Sequence, residues 1–416
     1  MTQYFRESAA IVAILFSTTP TLAQEWSRFR GPNGSGVSKA TTVPVKWTED
    51  DYNWKIALPG IGHSSPVIWG ERLFITSANV DAGKRYLLCI NTSDGSRAWT
   101  EEFEFRKYRR HNNNSFASNT PAVDADHVYL LWQSRKSSSL VALDHQGQRI
   151  WSHDLGPYQH GQGGGTSPIV YQDKVIVCND QKQPSFLLAV NRENGQELWK
   201  VPRKGKRACY ATPCIFDSQG RPAEIIFSHC FEGICGVDPQ TGRQNWMIDV
   251  FGTFAQRAVG SPVIAGDLII ANSGARAGGK NVVAVRPTTT DGGVKIKEVY
   301  RVSRTAPHVP TTLVYDKWLF LWNDDGVVTC ADVKTGRKVW QKRVGGNYFG
   351  SPICVGGRLY SVDLEGNVVV MSASDQPRIL ARNPLREPSR ATPAVSGGVL
   401  YVRTYSHLFS IGGKGE

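Results

Sequence analysis

The chain has 416 residues, a formal net charge of +12, 41 glycines, 22 prolines, 12 tryptophans and only 3 methionines. That length exceeds one ordinary hydrophobic core, so several domains or a repeat array are expected, and the composition favours strands and turns. No run reaches the roughly 18 apolar residues that a spanning helix needs, so no transmembrane segment is expected.

Residues 1–23 read as a signal peptide. Arg6 precedes the apolar run Ala9 to Phe16, and Thr21-Leu22-Ala23 supplies a small-residue cleavage site before Gln24. Export to the periplasm, or secretion, is therefore expected. No cysteine follows the apolar run, so a lipid anchor is not. Residues 24–52 contain Gly31-Pro32-Asn33-Gly34-Ser35-Gly36, which lacks the Gly-Lys-Ser/Thr ending of a phosphate loop. They read as an N-terminal strap lying over whatever follows.

From residue 53 onward the chain repeats. Ala189 to Trp199 ends one strand, turns at Asn194-Gly195 and enters a strand carrying Trp; Cys89 to Trp99, Gly236 to Trp246 and Cys330 to Trp340 have the same length, and Ala142 to Trp151 is one residue shorter. The first position is always small, which suggests a tight contact with a neighbouring sheet. A second marker runs in phase: Ser65-Pro66, Thr120-Pro121, Ser167-Pro168, Thr212-Pro213, Ser261-Pro262, Thr311-Thr312, Ser351-Pro352 and Thr392-Pro393 each open an apolar run. Each unit thus reads as three strands, a hairpin and a fourth strand bearing Trp. Units of about 40–55 residues with four short antiparallel strands are propeller blades.

The expected fold is therefore all-β: an eight-bladed β-propeller of four-stranded antiparallel blades, forming a single domain over 53–416. The last unit has no Trp strand before the chain ends, and Asn53-Trp54-Lys55-Ile56 can complete it and close the ring. Trp99, Trp151, Trp199, Trp246 and Trp340 are expected to dock blade against blade. Val299-Tyr300 and Ile379-Leu380 stand where two blades lack Trp, so those seams are expected to be the softest.

Links from each outermost strand to the next innermost strand surround the channel mouth in such a ring. Residues three before each marker's second position should line it: His63, Ser118, Gly165, Tyr210, Val259, Val309, Phe349 and Arg390. The links are rich in basic, aromatic and amide groups. They give a candidate binding face of His63, Arg110, His111, Asn119, Tyr210, Arg257, Arg304, His308, Tyr348 and Arg390. A cationic face attracts anionic partners in a salt-sensitive way. Export and the lack of a recognition motif argue against nucleic acid, leaving an acidic envelope protein or an anionic glycan.

Other chemistry is thin. Cys209, Cys214, Cys230 and Cys235 form two C-x4-C pairs; the spacing is not that of a zinc site, and core thiols or one local disulfide are expected. Asp324-Asp325-Gly326 and Asp363-Leu364-Glu365-Gly366 read as hairpin tips rather than cation sites. No His-Glu-x-x-His, Gly-x-Ser-x-Gly or C-x-x-C-H occurs.

The small-x-Asp/Asn-x-x-Thr/Asn/Asp-Gly-x-x-x-Trp pattern resembles the tryptophan-docking motif of PQQ-like (quinoprotein-type) β-propellers, and the resemblance covers the chain from Trp54 onward. That family includes pyrroloquinoline quinone dehydrogenases and BamB-like envelope accessories without a catalytic role. The dehydrogenases imply a quinone, a Ca²⁺ ion and a vicinal cysteine pair. This chain has no Cys-Cys and is shorter than they are. The reading is a non-catalytic envelope scaffold of the BamB-like branch with no cofactor and no assignable catalytic or metal-binding residue. A minimal PQQ- and Ca²⁺-dependent alcohol or sugar dehydrogenase is the alternative.

Overall fold

In the computed structural model, residues 26–182, 184–205, 207–218, 220–252, 257–275 and 279–413 are described; the expected signal peptide lies outside them. Short strands, the middle ones buried on both faces and the outermost ones alternating, assemble into eight four-stranded antiparallel sheets, one of which carries a fifth strand from the strap, in a propeller with almost no helix. Seven blades use consecutive strands. The eighth takes Ala394–Ser396, Val399–Arg403 and His407–Gly412 from the C-terminal end and Tyr52–Ala57 from the N-terminal end, the last pairing antiparallel with His407–Gly412. The ring therefore closes on a complete four-stranded blade. No helix among the described residues is long and apolar enough to cross a membrane.

Successive side chains of a strand face opposite sides, so each blade feeds two hydrophobic layers. In Lys174–Asn179, Val175 and Val177 pack toward the blade before, with Tyr129, Leu131 and Trp151. Ile176 and Cys178 pack toward the blade after, with Ile225 and Phe227. The core is thus a set of layers between blades.

The Ser/Thr-Pro markers form two hydrogen-bonded runs around the channel, from Ser65 to Ser167 and from Thr212 to Thr392. The hydroxyl of Thr120 accepts from the Ser65 amide, Ser167 from Thr120, Ser261 from Thr212, Thr311 from Ser261, Ser351 from Thr311 and Thr392 from Ser351, all at 2.9–3.0 Å. Proline in the second position has no N–H, so the marker hydroxyl meets one unambiguous donor from the preceding blade. Thr311 keeps this role although Thr312 replaces the proline.

Indoles lock the seams. Trp54, Trp99, Trp151, Trp199 and Trp340 donate their N–H groups to the carbonyls of Thr92, His145, Arg192, Pro239 and Ser374, in the hairpin of the next blade, at 2.8–3.0 Å. The first four also cover the hairpin glycine there: a Cβ on Gly195, which has φ +71°, would sit 2.6 Å from the Trp151 ring. The small residue opening each repeat is the cross-strand partner of the Trp within its own blade (Cys89 opposite Trp99, Ala189 opposite Trp199), beside a bulge, and also lies in the hydrophobic layer shared with the next blade.

Two seams depart from expectation. The Trp246 N–H donates to the buried Glu224 carboxylate of its own blade at 2.9 Å, while its ring remains in the layer shared with Ile269 and Val283 of the next blade. That next blade's hairpin glycines, Gly292 and Gly293, are out of reach at the tip of the long pair Lys280–Thr290 and Gly293–Val302 and have nothing packed on them. Tyr300, expected at a soft seam, is fully docked: it lies against Gly336 and donates to the Val333 carbonyl at 2.9 Å.

The seventh blade has Ala381 at the docking register, opposite Val370 and next to the bulge. The strap fills the gap. Trp47 and Val43 are buried in the same layer as Val370, Leu400 and Tyr401, and the Trp47 amide donates to Asn383 at 3.1 Å. A strap residue thus substitutes for the missing docking tryptophan.

The rest of the strap enters the channel rather than lying over the ring. Trp26 bridges to Ile68, the Val123 amide donates to Ser27, Asn33 bonds both backbone groups of Ile215, and Val37–Ser38 adds a parallel fifth strand to Ile353–Val355. These partners belong to innermost strands around the ring, so the strap stops the channel. The buried Arg30 guanidinium donates to the carbonyls of Thr311 and Thr312 at 3.1 and 3.2 Å, and Arg28 donates to that of Pro213. Burial without a counter-ion pulls Arg30 down to about 9.

Candidate functional site

With the channel stopped, the mouth is a cavity of about 710 Å³ and Phe29 of the strap lines it. All eight residues lying three before the markers' second positions (His63, Ser118, Gly165, Tyr210, Val259, Val309, Phe349 and Arg390) line the wall. Below them come the marker hydroxyls Ser65, Thr120, Ser167, Thr212, Thr311, Ser351 and Thr392. The periodicity explains this layering, since each unit delivers the same position to the same height.

The wall is cationic. Arg207, Arg257, Lys280 and Arg390 face the cavity against two carboxylates, Asp324 and Asp325. Asp324 is already engaged: it accepts from the His308 and Val309 amides at 2.7 and 3.0 Å and pairs with Lys280 at 3.2 Å. Arg390 lies over the rings of Phe349 and Tyr405 at 5.6 and 5.2 Å, and Arg257 donates to the Ala208 carbonyl at 3.1 Å. These arginines are held by aromatic faces and neutral acceptors, so their charge remains available to a ligand.

Titration directions carry the same message. His63 is held well below its ordinary range by burial and then by Arg403, Arg390 and Arg110. His160 falls to about 4 through burial and the charges of Arg257, Lys182 and Arg207. Burial and then Arg110 lower Arg390 itself. Positive charge concentrates here without matching negative charge. His160 also ties the wall together, facing the Tyr210 hydroxyl at 3.3 Å and Arg257 at 3.4 Å.

Of the binding-face residues named from the sequence, His63, His111, Tyr210, Arg257, His308 and Arg390 line the cavity. Arg110 stands behind it, stacked on Phe116 at 4.8 Å. The other three fall elsewhere. Tyr348, on the link between Lys338–Arg343 and Ile353–Val355, is fully buried against Trp322, ring centroids 5.2 Å apart, while its neighbour Phe349 lines the mouth. Asn119 is buried beneath the wall and donates to the Thr166 carbonyl at 2.6 Å. Arg304 is exposed and away from the cavity lining.

Phe29, Lys280 and the structural use of Asp324 were not foreseen. Hairpins joining second to third strands open on the same side of the ring as the fourth-to-first links, so Lys280 and Asp324 reach the mouth. Strand direction, counted from the markers, would have placed them there. The strap residue had no local signal.

Calcium bound with a quinone requires several converging oxygen ligands. Asp324 is already engaged, and among the described residues no Asp or Glu at the mouth groups with two other Asp, Glu, His or Cys side chains.

Among curated proteins nothing matches the chain. Solved structures do. BamB from Moraxella catarrhalis superposes with a TM-score of 0.62 at 15% identity, over 91% of this chain and 100% of that one. A europium-containing methanol dehydrogenase gives 0.68 at 11%, over 92% and 90%, and the quinohemoprotein alcohol dehydrogenase from Comamonas testosteroni gives 0.67 at 13%, over 94% and 81%. At such identities these similarities establish the fold alone. A family model described as outer membrane protein assembly factor BamB matches residues 32–223, 219–342 and 324–412. With nearly the whole ring covered, the chain belongs to this BamB-type family of PQQ-like propeller repeats.

Proposed function

We propose that this protein is a non-catalytic binding platform of the cell envelope whose cationic mouth receives an acidic segment of an envelope protein. One observation carries the reading: Arg207, Arg257 and Arg390 face a 710 Å³ cavity in which, among the described residues, the lining carboxylates are Asp324 and Asp325, with Asp324 already paired with Lys280. An anionic group entering there relieves the mutual repulsion of Arg390 and Arg110 and strengthens every contact it makes. Membership of the BamB-type family supports the envelope setting. On this reading residues 1–23 are removed as a leader, 24–52 form the strap, and the ring begins at 53.

The test is a titration of the mature protein with a fluorescent oligoglutamate peptide at several salt concentrations, beside a sulfated glycan. Arg257→Ala and Arg390→Ala should each weaken peptide binding by about fivefold, roughly 1 kcal/mol, with a shallower salt dependence. Peptide binding that ignores both substitutions defeats the proposal, and stronger binding of the glycan would redirect it. Reconstitution with pyrroloquinoline quinone and Ca²⁺ that yields stoichiometric quinone and dye reduction would instead revive the dehydrogenase alternative.

A further inference from the structure

Behind the mouth wall lies a cluster that the binding reading does not use. Cys209, on the link that enters the fourth blade, and Cys230, just after that blade's second strand Glu224–His229, have their Sγ atoms 3.3 Å apart. His229 completes the group: one ring nitrogen and the two sulfurs all lie within 4.8 Å of one another, and all three residues are buried. Spacing along the chain hid this, because the fold takes one cysteine from each C-x4-C pair. Cys214 and Cys235 go to separate hydrophobic layers.

We propose that Cys209, Cys230 and His229 bind one thiophilic metal ion, zinc(II) or copper(I), as a dithiolate–imidazole site. Buried sulfur and imidazole donors select these ions over calcium or magnesium. The surroundings are those of a prepared ligand set. The Cys230 amide donates to the Cys209 sulfur at 3.3 Å, a bond that favours a thiolate. His229 Nε2 faces the Arg207 carbonyl at 3.1 Å, which holds the proton on Nε2 and leaves the lone pair on Nδ1. Nδ1 now accepts from the Phe231 amide at 3.1 Å, a contact the metal would take over.

With Zn–S bonds of about 2.3 Å and tetrahedral angles, the sulfurs need to stand about 3.8 Å apart, a separation of roughly half an ångström beyond the present one. A disulfide would instead require closure to about 2.05 Å. A bound metal would staple the link bearing Arg207 and Tyr210 to the second strand of its blade, and so stiffen one side of the mouth.

The experiment uses the full chain, purified under reducing conditions and titrated with Zn²⁺, Co²⁺ and, anaerobically, Cu⁺. One equivalent should bind, with a thiolate-to-cobalt charge-transfer band in the Co²⁺ form. Cys209 and Cys230 should then resist alkylation while other cysteines react as before upon unfolding. Cys209→Ser and Cys230→Ser should abolish the band, His229→Ala should weaken binding by at least tenfold, and Cys330→Ala should leave it intact. If the serine variants fail to fold, alkylation protection in the unaltered chain still decides. Peptide mapping that finds a Cys209–Cys230 disulfide in the protein as isolated, or a stoichiometry unchanged by His229→Ala and the serine variants, overturns the proposal.

Discussion

Replacing Trp47 by alanine tests the claim that a strap residue holds the seam between the seventh and eighth blades. The indole is 5% exposed and packs in one layer with Val370, Leu400 and Tyr401, while Ala381 leaves the docking register empty. Truncating a buried Trp costs about 3–5 kcal/mol through lost transfer energy and the cavity left behind. Unfolding entropy of about 2.1 cal/mol/K per residue over 416 residues converts 1 kcal/mol into only about 1 °C of melting temperature. Thermal melts should therefore fall by about 3–5 °C, and urea denaturation followed by tryptophan fluorescence gives the better resolved measurement. The phenylalanine variants sharpen the test. Trp199 donates to the Pro239 carbonyl at 3.0 Å, whereas the Trp47 ring nitrogen has no hydrogen-bond partner among the described residues. Trp199→Phe should cost about 1–3 kcal/mol more than Trp47→Phe, because it strands a buried carbonyl. A loss below about 1 kcal/mol for Trp47→Ala, or equal losses for the two phenylalanine variants, would refute the reasoning.

Other expectations follow from the same geometry. Gly195→Ala and Gly156→Ala share φ near +71°, but only the first places a Cβ against a ring, so by chemical denaturation it should cost at least 2 kcal/mol against about 1 for the second. His160 lies at about 4 in the folded protein against an ordinary 6.5. Its depressed value means the unfolded chain binds the extra proton, so stability is full above pH 6.5 and declines as pH falls toward 4. His160→Gln should flatten that part of a pH-dependent unfolding series. Arg30→Ala should destabilise by about 2–4 kcal/mol, read by urea titration, because the Thr311 and Thr312 carbonyls lose their shared donor.

The eight Ser/Thr markers, the recurring Trp and the Asn53–Ile56 segment determine the blade number, the ring closure and the height of each mouth residue. They do so because a repeat places equivalent residues equivalently, whatever the details of packing. What escaped were the exceptions to the repeat. The Trp246 N–H turns back on Glu224 because the next blade's hairpin is long and holds its glycines out of reach. Tyr348 is buried against Trp322 on a link whose path no strand period fixes, and Phe349 beside it takes the place at the mouth. Trp47, Phe29 and Arg30 act far from their place in sequence, and nothing local in a strap announces which innermost strands it will meet. Only the tertiary structure brings Cys209 to His229 and Cys230, since side-chain chemistry is written in the chain but proximity across blades is set by how the ring closes.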